Sequence, residues 1–444
     1  MNKKIPIVVA VIFLFAYSVS RAQENPQDSV WTLQKCILYA LQQNVSVQQA
    51  EVSNQGNLVR TKTAKADRFP SVSASVSQDF DWSKSYANGV YGSYSGTNGT
   101  NYSVSSNVRL YNGFRTENSI KQSELSYKKG QYDVETMKEN ISLSVVDAYL
   151  QVLYADEQVK NSRSQVASTT EQLQLADERM QQGLIAKADY LQVKSELATE
   201  NLTLANAQSQ LTINKVNLMQ LMELPVTPDF TIDEPNIDNE LVKSINPTPD
   251  SVYQLALKNR PEIQSSALNK QVKTLGVSIA KSGYQPVLSL NGGISTGYQS
   301  DASPVYATQV ENKIHPSVGL NLSIPIYQKR TVRSDVELAK LDVQNAELDD
   351  INTRNQLRKE IEQTCVDVQT AQMKYTASLD QYQAAQEAYD VAMEKFNVGL
   401  LNSADFMISK TSLITAQSNL LQSKYNLVFN LKILDYYMGN PITL

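Results

Sequence analysis

Residues 71–82 read SVSASVSQDFDW, a stretch in which large and small side chains alternate. One face carries Val72, Ala74, Val76, Phe80 and Trp82, and the other carries only serine and aspartate. Alternation with a period of two predicts a β-strand. Stretches near 102–110, 288–298 and 317–326 alternate in the same way. The sequence therefore predicts four strands, each with one apolar face and one small, polar face.

The surroundings of these strands decide between two environments. A soluble sandwich also alternates, but four strands among helices have no second sheet to pack on. The 11 steps from Phe69 to Phe80 span about 36 Å, or roughly 28 Å of height at a 40° tilt, which matches a membrane barrel. Four strands cannot close a barrel, so the chain must oligomerise. Two copies would give a filled barrel, whereas small lumen residues favour three copies with a wider lumen.

Long helices are predicted from where proline and glycine are missing. No proline occurs in residues 71–224 or 326–440. Residues 115–182 contain a single glycine and would form a helix of about 100 Å, with apolar residues at coiled-coil spacing. Shorter helices are predicted over 31–67 and 250–283, and exposed outer loops over 84–101 and 299–313. The predicted fold class is mainly α with a membrane β-barrel.

The two halves of the chain match at a fixed offset of 216 residues. The offset relates Tyr111 to Tyr327, Pro70 to Pro286, Gly183-Leu184 to Gly399-Leu400, and Ala188-Asp189 to Ala404-Asp405. One ungapped register over so long a stretch indicates duplication. We therefore divide the chain into a signal peptide (1–22), a first repeat (23–228), a connector (229–250) and a second repeat (251–444).

The N-terminus predicts export. Two lysines precede an apolar run over residues 5–16, and small residues around Ala22 offer a cleavage site. Residue 23 is glutamine rather than cysteine, so no lipid is expected there. Cleavage changes the formal charge from −5 to −8, which argues against a nucleic-acid partner. Cys36 and Cys365 could pair in an oxidising compartment or remain two separate buried thiols.

Several short motifs carry a resemblance to a known family. They are Asn-Arg-Pro-Glu at 259–262, Ile-Pro-Ile-Tyr at 324–327, Phe-Asn-Val-Gly-Leu at 396–400 and Asp-Tyr-Tyr-Met-Gly-Asn-Pro at 435–441. With the repeat, they resemble the TolC-type outer membrane efflux proteins. The resemblance implies a homotrimer in the outer membrane, with a 12-stranded barrel, a 12-helix periplasmic tunnel and an equatorial belt. It also implies an exit duct for a tripartite efflux pump or type I secretion system, docked to a periplasmic adaptor and an inner-membrane transporter.

The same resemblance suggests functional residues at the periplasmic tip. The two glycine turns would contact the adaptor through Gly183, Leu184, Val398, Gly399 and Leu400. Asp189 and Asp405 are either ordinary acids at helix starts or parts of a cation-selective entrance. Where the family places a gating tyrosine and arginine, this chain has Phe396 and Leu401, and Ile408 follows Asp405 by one turn. We therefore expect a more hydrophobic gate latch at these three positions.

No pattern in the sequence indicates catalysis, a cofactor or a metal. The single histidine, His315, precedes Pro316 and has no second histidine or phosphate-binding loop beside it. The alternative hypothesis is a periplasmic coiled-coil adaptor that bridges membranes without a pore. An autonomous porin is disfavoured, because a porin has no use for helices of about 100 Å.

Overall fold

The computed structural model describes residues 30–235, 237 and 248–441. The predicted signal peptide (1–22) lies outside the described residues, as do 236 and 238–247 of the predicted connector. The first half of the chain forms α1 (Leu33–Gln43), α2 (Val45–Ala66), β1 (Ser71–Ala87), β2 (Val90–Tyr111), α3 (Arg115–Gln181) and α4 (Lys187–Leu221). The second half forms α5 (Pro249–Asn259), α6 (Pro261–Lys281), β3 (Val287–Gln299), α7 (Tyr306–Asn312), β4 (His315–Ser323), α8 (Thr331–Asn397) and α9 (Ser403–Met438).

The duplication predicted from sequence is confirmed by the backbone. Helix α1, strand β1 and helices α3 and α4 each begin 216 residues before α5, β3, α8 and α9. The equivalent residues Phe114 and Arg330 both adopt the left-handed conformation, with φ of 61° and 66°. Each turns a strand into a helix of 67 residues, about 100 Å long.

The two single helices predicted over 31–67 and 250–283 are wrong, because each is broken in the middle. Asn44 is extended, and its side-chain oxygen accepts a hydrogen bond from the amide of Ser46 at 2.9 Å, which caps α2. Arg260, at the equivalent position, is also extended. The ring of Pro261 disfavours a helical conformation in the residue before it. Each predicted helix is therefore a pair, α1 with α2 and α5 with α6.

The four strands form one antiparallel sheet in the order β1-β2-β3-β4. Consecutive strands are neighbours, so β1 and β4 are the edges of the sheet. Strand β3 ends at Gln299, opposite Gly99 of β2, which in turn lies opposite Asp79 of β1. Beyond this row only β1 and β2 continue, as a two-stranded hairpin.

The predicted loops differ from the structure. Residues 84–101 are largely β-hairpin, closed by Asn88 and Gly89 with φ of 51° and 81°. Asn-Gly is a strong signal for such a turn, since both residues tolerate positive φ. The segment 299–313 includes the short helix α7. The last strand ends at Ser323, not Ile326, because Pro325 cannot donate a ladder hydrogen bond.

The best-packed part of the helices lies near their middle. One buried cluster joins α1, α3, α4 and α9, with Cys36, Tyr149, Leu218 and Val428 at its centre. The start of the connector packs here too, since the Tyr149 hydroxyl donates to the carbonyl of Asp233 at 2.7 Å. A second cluster joins α5, α6, α8 and α9. The long helices are therefore held together mainly near their middle, by these two buried clusters.

Both cysteines are free thiols. Cys36 is fully buried, and burial raises the pKa of its thiol to about 12. Burial also raises the pKa of Cys365, which packs against the second cluster. Of the two alternatives left by the sequence, separate thiols are the ones observed.

None of the described helices is both long enough and apolar enough to cross a membrane.

Candidate functional site

The two glycine turns close the helical hairpins α3–α4 and α8–α9 with the same geometry. Gly183 and Gly399 have φ of 74° and 76°, a conformation that only glycine adopts at little cost. Past each glycine, the amide of Leu184 donates to Arg179 at 2.9 Å, and that of Leu400 donates to Lys395 at 2.8 Å. These six-residue closures satisfy carbonyls that the ending helix leaves free. The two tips thus have the same backbone geometry.

Large apolar side chains project from both tips. Leu184, Val398 and Leu400 are each about 70% exposed or more, at 68%, 70% and 78%. No side chain of the described residues covers them, although burying one would be favourable. The residues predicted to contact an adaptor therefore lie on the surface, at the far end of both hairpins.

Asp189 and Asp405 occupy equivalent positions but differ in their surroundings. Asp405 is exposed at the start of α9, where its amide is capped by the Asn402 side chain at 2.8 Å. The Asn402 amide group also donates to the Asp405 carboxylate at 2.9 Å. Asp189 is half-buried, and it accepts a hydrogen bond from the Ser403 hydroxyl. The first repeat's aspartate is thus held by the second hairpin, whereas the second repeat's aspartate faces outward.

The three positions of the predicted latch do not share one environment. Phe396 stacks on Phe406, with ring centroids 4.7 Å apart and planes within 12°. Leu401 packs against the same small cluster, which also contains Tyr389 and Met407. Ile408 instead is 65% exposed. Phe396 and Leu401 therefore pack partly against other side chains of the same subunit, whereas Ile408 is exposed and available for contact with another surface.

A buried ion pair near the tips was missed by the sequence analysis. The Lys410 ammonium of α9 lies 2.8 Å from the Glu200 carboxylate of α4, and both side chains are 5% exposed. Lys410 also donates to the Thr169 hydroxyl of α3. Burial and the nearby Glu200 charge raise the pKa of Glu196, one turn away. The cluster joins three helices from both hairpins through one cation.

A sequence signal for this cluster existed. The buried face of α4 includes Val193, Glu200, Ala207 and Asn214, spaced by seven residues. A carboxylate at a core position of a coiled coil needs a buried partner. Two further polar contacts join the hairpins: the Arg179 guanidinium donates to the carbonyl of Asn397 at 3.2 Å, and the Gln172 amide donates to the Tyr389 hydroxyl at 3.4 Å.

The sheet has the two different faces that the sequence predicted. Polar rows cross it from strand to strand, and within them Ser73 and Ser105 are hydrogen bonded at 3.0 Å and Ser75 and Ser103 at 2.7 Å. His315 belongs to the second row, opposite Ser295. The other face is apolar and exposed in the single chain: Val72, Val76, Val104, Val318 and Leu320.

Together the sheet and the tips define a class of protein. A subunit with an incomplete two-faced sheet at one end, and paired helical hairpins with apolar tips at the other, belongs to an assembly that crosses a membrane and extends far beyond it. No cluster of three or more metal-binding side chains is present among the described residues.

The family of outer membrane efflux proteins matches the chain twice, over residues 37–223 and 252–440. The chain belongs to this family, and the resemblance expected from its motifs is confirmed. The two matched segments coincide with the two structural repeats. The family places the protein in the outer membrane.

Individual relatives are distant. The outer membrane protein TolC of Salmonella enteritidis is 23% identical over 354 residues, which cover 77% of this chain and 66% of TolC. An uncharacterised protein of Haemophilus influenzae is 23% identical over 235 residues, or 53% of this chain and 50% of that protein. The chain thus spans half to two thirds of the length of these relatives.

A solved structure shares the fold over almost the whole chain. The structure of CusC, described as forming a transmembrane channel, superimposes with a TM-score of 0.79 and 15% identity, covering 92% of both chains. The fold predicted from sequence, helices with a membrane sheet in a duplicated order, is therefore confirmed.

Proposed function

We propose that the chain is one subunit of a homotrimeric exit duct. It would passively conduct cargo that an inner-membrane transporter supplies through a periplasmic adaptor, in a tripartite efflux pump or a type I secretion system. The observation that carries the proposal is a four-stranded sheet with two unpaired edges, a polar face and an exposed apolar face. Exposed sheet edges are not stable within lipid, so β1 of one copy must pair with β4 of the next.

Three copies account for the rest of the subunit. They supply 12 strands, enough for a barrel with a lumen lined by serine, asparagine and glycine. Each subunit also supplies four long helices, so three copies surround a path with twelve. Two of the four, α3 and α8, have 67 residues each, and at about 100 Å they extend well beyond the bilayer. A coiled-coil adaptor without a pore would have no use for the two-faced sheet.

The tips would form both the entrance and the docking surface. Six similar turns, two from each subunit, would present Leu184, Val398 and Leu400 to the helices of the adaptor. Asp405, repeated three times, would favour cations at the entrance, and Asp189 would contribute less because Ser403 holds it. Ile408, exposed one turn beyond Asp405, would meet its own copies and close the latch that Phe396 and Leu401 support from within each subunit.

The domain boundaries fit the same assembly. The first repeat (23–228) and the second (251–444) would each supply one hairpin and two strands. The connector (229–250) would run around the outside at mid-height. Its described start supports this course, because Lys160 of α3 forms an ion pair with Glu234.

Single-channel recording on the purified protein in planar bilayers tests the proposal. We expect trimers that insert and conduct, with a preference for cations. Asp405→Asn should reduce that preference, and the equivalent change Asp189→Asn should have a smaller effect. An inserted oligomer without conductance would refute the duct, and unchanged selectivity in Asp405→Asn would refute the aspartate ring.

A further inference from the structure

The β1–β2 hairpin is longer than the membrane requires. Strand β3 has 13 residues, about 40 Å along the strand and roughly 30 Å in height at a 40° tilt. That height already crosses the hydrocarbon core. Past the row of Asp79, Gly99 and Gln299, β1 and β2 continue alone to the turn at Asn88 and Gly89. This extension, Phe80 to Asn98, adds about 30 Å on the side away from the long helices.

One face of the extension is aromatic. Phe80 and Trp82 are stacked with centroids 6.4 Å apart and planes within 22°. The Trp82 indole lies against Gly96, where a Cβ would come within 2.8 Å of its nitrogen. Tyr94 lies opposite Lys84, whose ammonium is 4.6 Å from the centre of the tyrosine ring. These four side chains, Phe80, Trp82, Lys84 and Tyr94, form what we call the aromatic face.

The aromatic face is continuous with the apolar face of the sheet. Residues 72, 74, 76, 80, 82 and 84 alternate onto the same side of β1. Trp82 and Tyr94 are each 70% exposed, and Phe80 is 59% exposed. In the proposed barrel this side points to lipid, so the aromatic face stands in the layer just outside the hydrocarbon core. Tryptophan and tyrosine are enriched at that depth, where one part of the ring is apolar and another is wet.

The charges of the extension are sorted by face. Its only charged residues are Asp81 and Lys84. Lys84 belongs to the aromatic face, whereas Asp81 alternates onto the polar face that would line the lumen. The outward side therefore carries a cation and no carboxylate. An ammonium beside flat aromatic rings suits a ligand that combines sugar rings with phosphate.

We propose that the aromatic face binds the phosphorylated sugar headgroup of a glycolipid in the outer leaflet. The rings of Phe80, Trp82 and Tyr94 pack against the apolar faces of the sugars, and Lys84 pairs with a phosphate. The inference rests on the proposed barrel, which sets the direction of the hairpin. It adds a lipid-binding surface that anchors the outer end of each subunit.

Tryptophan fluorescence tests this binding, because the chain has two tryptophans. Trp31 is 5% exposed and Trp82 is 70% exposed. In a Trp31→Phe protein, the trimer is placed in phospholipid nanodiscs with or without purified lipopolysaccharide, and acrylamide quenching of Trp82 is measured. We expect lipopolysaccharide to lower the quenching constant at least threefold. Adding Lys84→Gln should remove most of this protection, and adding Asp81→Asn, on the opposite face, should not.

Equal quenching with and without lipopolysaccharide would overturn the proposal. So would equally strong protection of Trp82 in phospholipid alone, which would mean that phospholipid headgroups or a neighbouring hairpin cover it. Trimer insertion and conductance, measured on the same samples, separate a failure of the lipid site from a failure of the duct. If Trp31→Phe does not fold, fluorine NMR of the wild-type protein with 5-fluorotryptophan gives the same comparison, with Trp82→Phe assigning the two signals.

Discussion

Replacing Lys410 with methionine should loosen the hairpin tips, because it leaves Glu200 buried without its cation. The two charged groups are 2.8 Å apart and both side chains are 5% exposed, so water cannot replace the lost ammonium. Removing one partner of a buried ion pair costs about 3–5 kcal/mol. Packing around the pair is sparse, since the nearby apolar cluster has only four buried members among the described residues. We expect the cost to appear as local opening rather than as loss of the whole fold.

Hydrogen exchange followed by mass spectrometry measures this opening in the intact trimer. A loss of about 3 kcal/mol corresponds to roughly 150-fold faster exchange in peptides around Glu200 and Lys410. Peptides around Tyr149 should be unaffected, because the central core is far along the helix. The repeat supplies a matched control: Lys194, 216 residues before Lys410, is exposed, and Lys194→Met should change exchange by less than about twofold.

A double variant tests whether the effects of the two charged residues depend on each other. Replacing Lys410 with methionine and Glu200 with leucine removes both charges and leaves apolar side chains of similar size. Such replacements of buried pairs are often neutral or stabilising. Exchange in the double variant should therefore return to within about fivefold of wild type. Additive effects of the two changes, or normal exchange in Lys410→Met alone, would refute the reasoning that this pair joins the hairpins.

Four further substitutions have expected outcomes. Gly399→Ala should destabilise the second tip by about 1–2 kcal/mol, because φ at this residue is 76°. Gly56→Ala lies inside α2 with open space around it and should stabilise the protein by up to about 1 kcal/mol. Hydrogen exchange measured around each site checks both predictions. Arg260→Met should lower the midpoint of thermal unfolding, measured by circular dichroism, because the 4% exposed guanidinium pairs with Glu139. Glu196 has a raised pKa in the folded protein, so its ionised form costs stability at neutral pH and the cost is relieved as the pH falls through that pKa. Glu196→Gln should therefore stabilise the tip at pH 8 but not at pH 4.

Most of the fold could be predicted because the strongest signals are local or repeated. Alternation at 71–82 fixes a strand without knowledge of its partner. The glycines at 183 and 399 predict the turns at the two tips. The offset of 216 residues then allows each element predicted in one half to be predicted in the other. Two further local signals were present in the sequence. Pro261 indicates the break between α5 and α6, and the Asn88-Gly89 pair indicates the turn of the β1–β2 hairpin. The break at Asn44 could not be predicted from that residue alone, because asparagine is also found inside helices.

The site was less predictable because its contacts join residues far apart in the sequence. Glu200 and Lys410 are 210 positions apart, and nothing local pairs them. The repeat itself is misleading here, since Lys194 matches Lys410 in type but is exposed. Asp189 and Asp405 likewise match in sequence and differ in their partners. Duplication predicts the backbone of the second half from the first, but not which side chains meet between them.

This loss of symmetry at the tips has a physical reason. Two hairpins with the same backbone lie side by side in one subunit, so a contact between them joins two unlike faces. Glu200 pairs with Lys410, whereas the residue equivalent to Glu200 in the second repeat, Ala416, is fully buried and carries no charge. Ser403 donates a hydrogen bond to Asp189, and the residue equivalent to Ser403 in the first repeat is Lys187. The contacts between the hairpins therefore depend on side chains that differ between the repeats, although the backbones of the two repeats match.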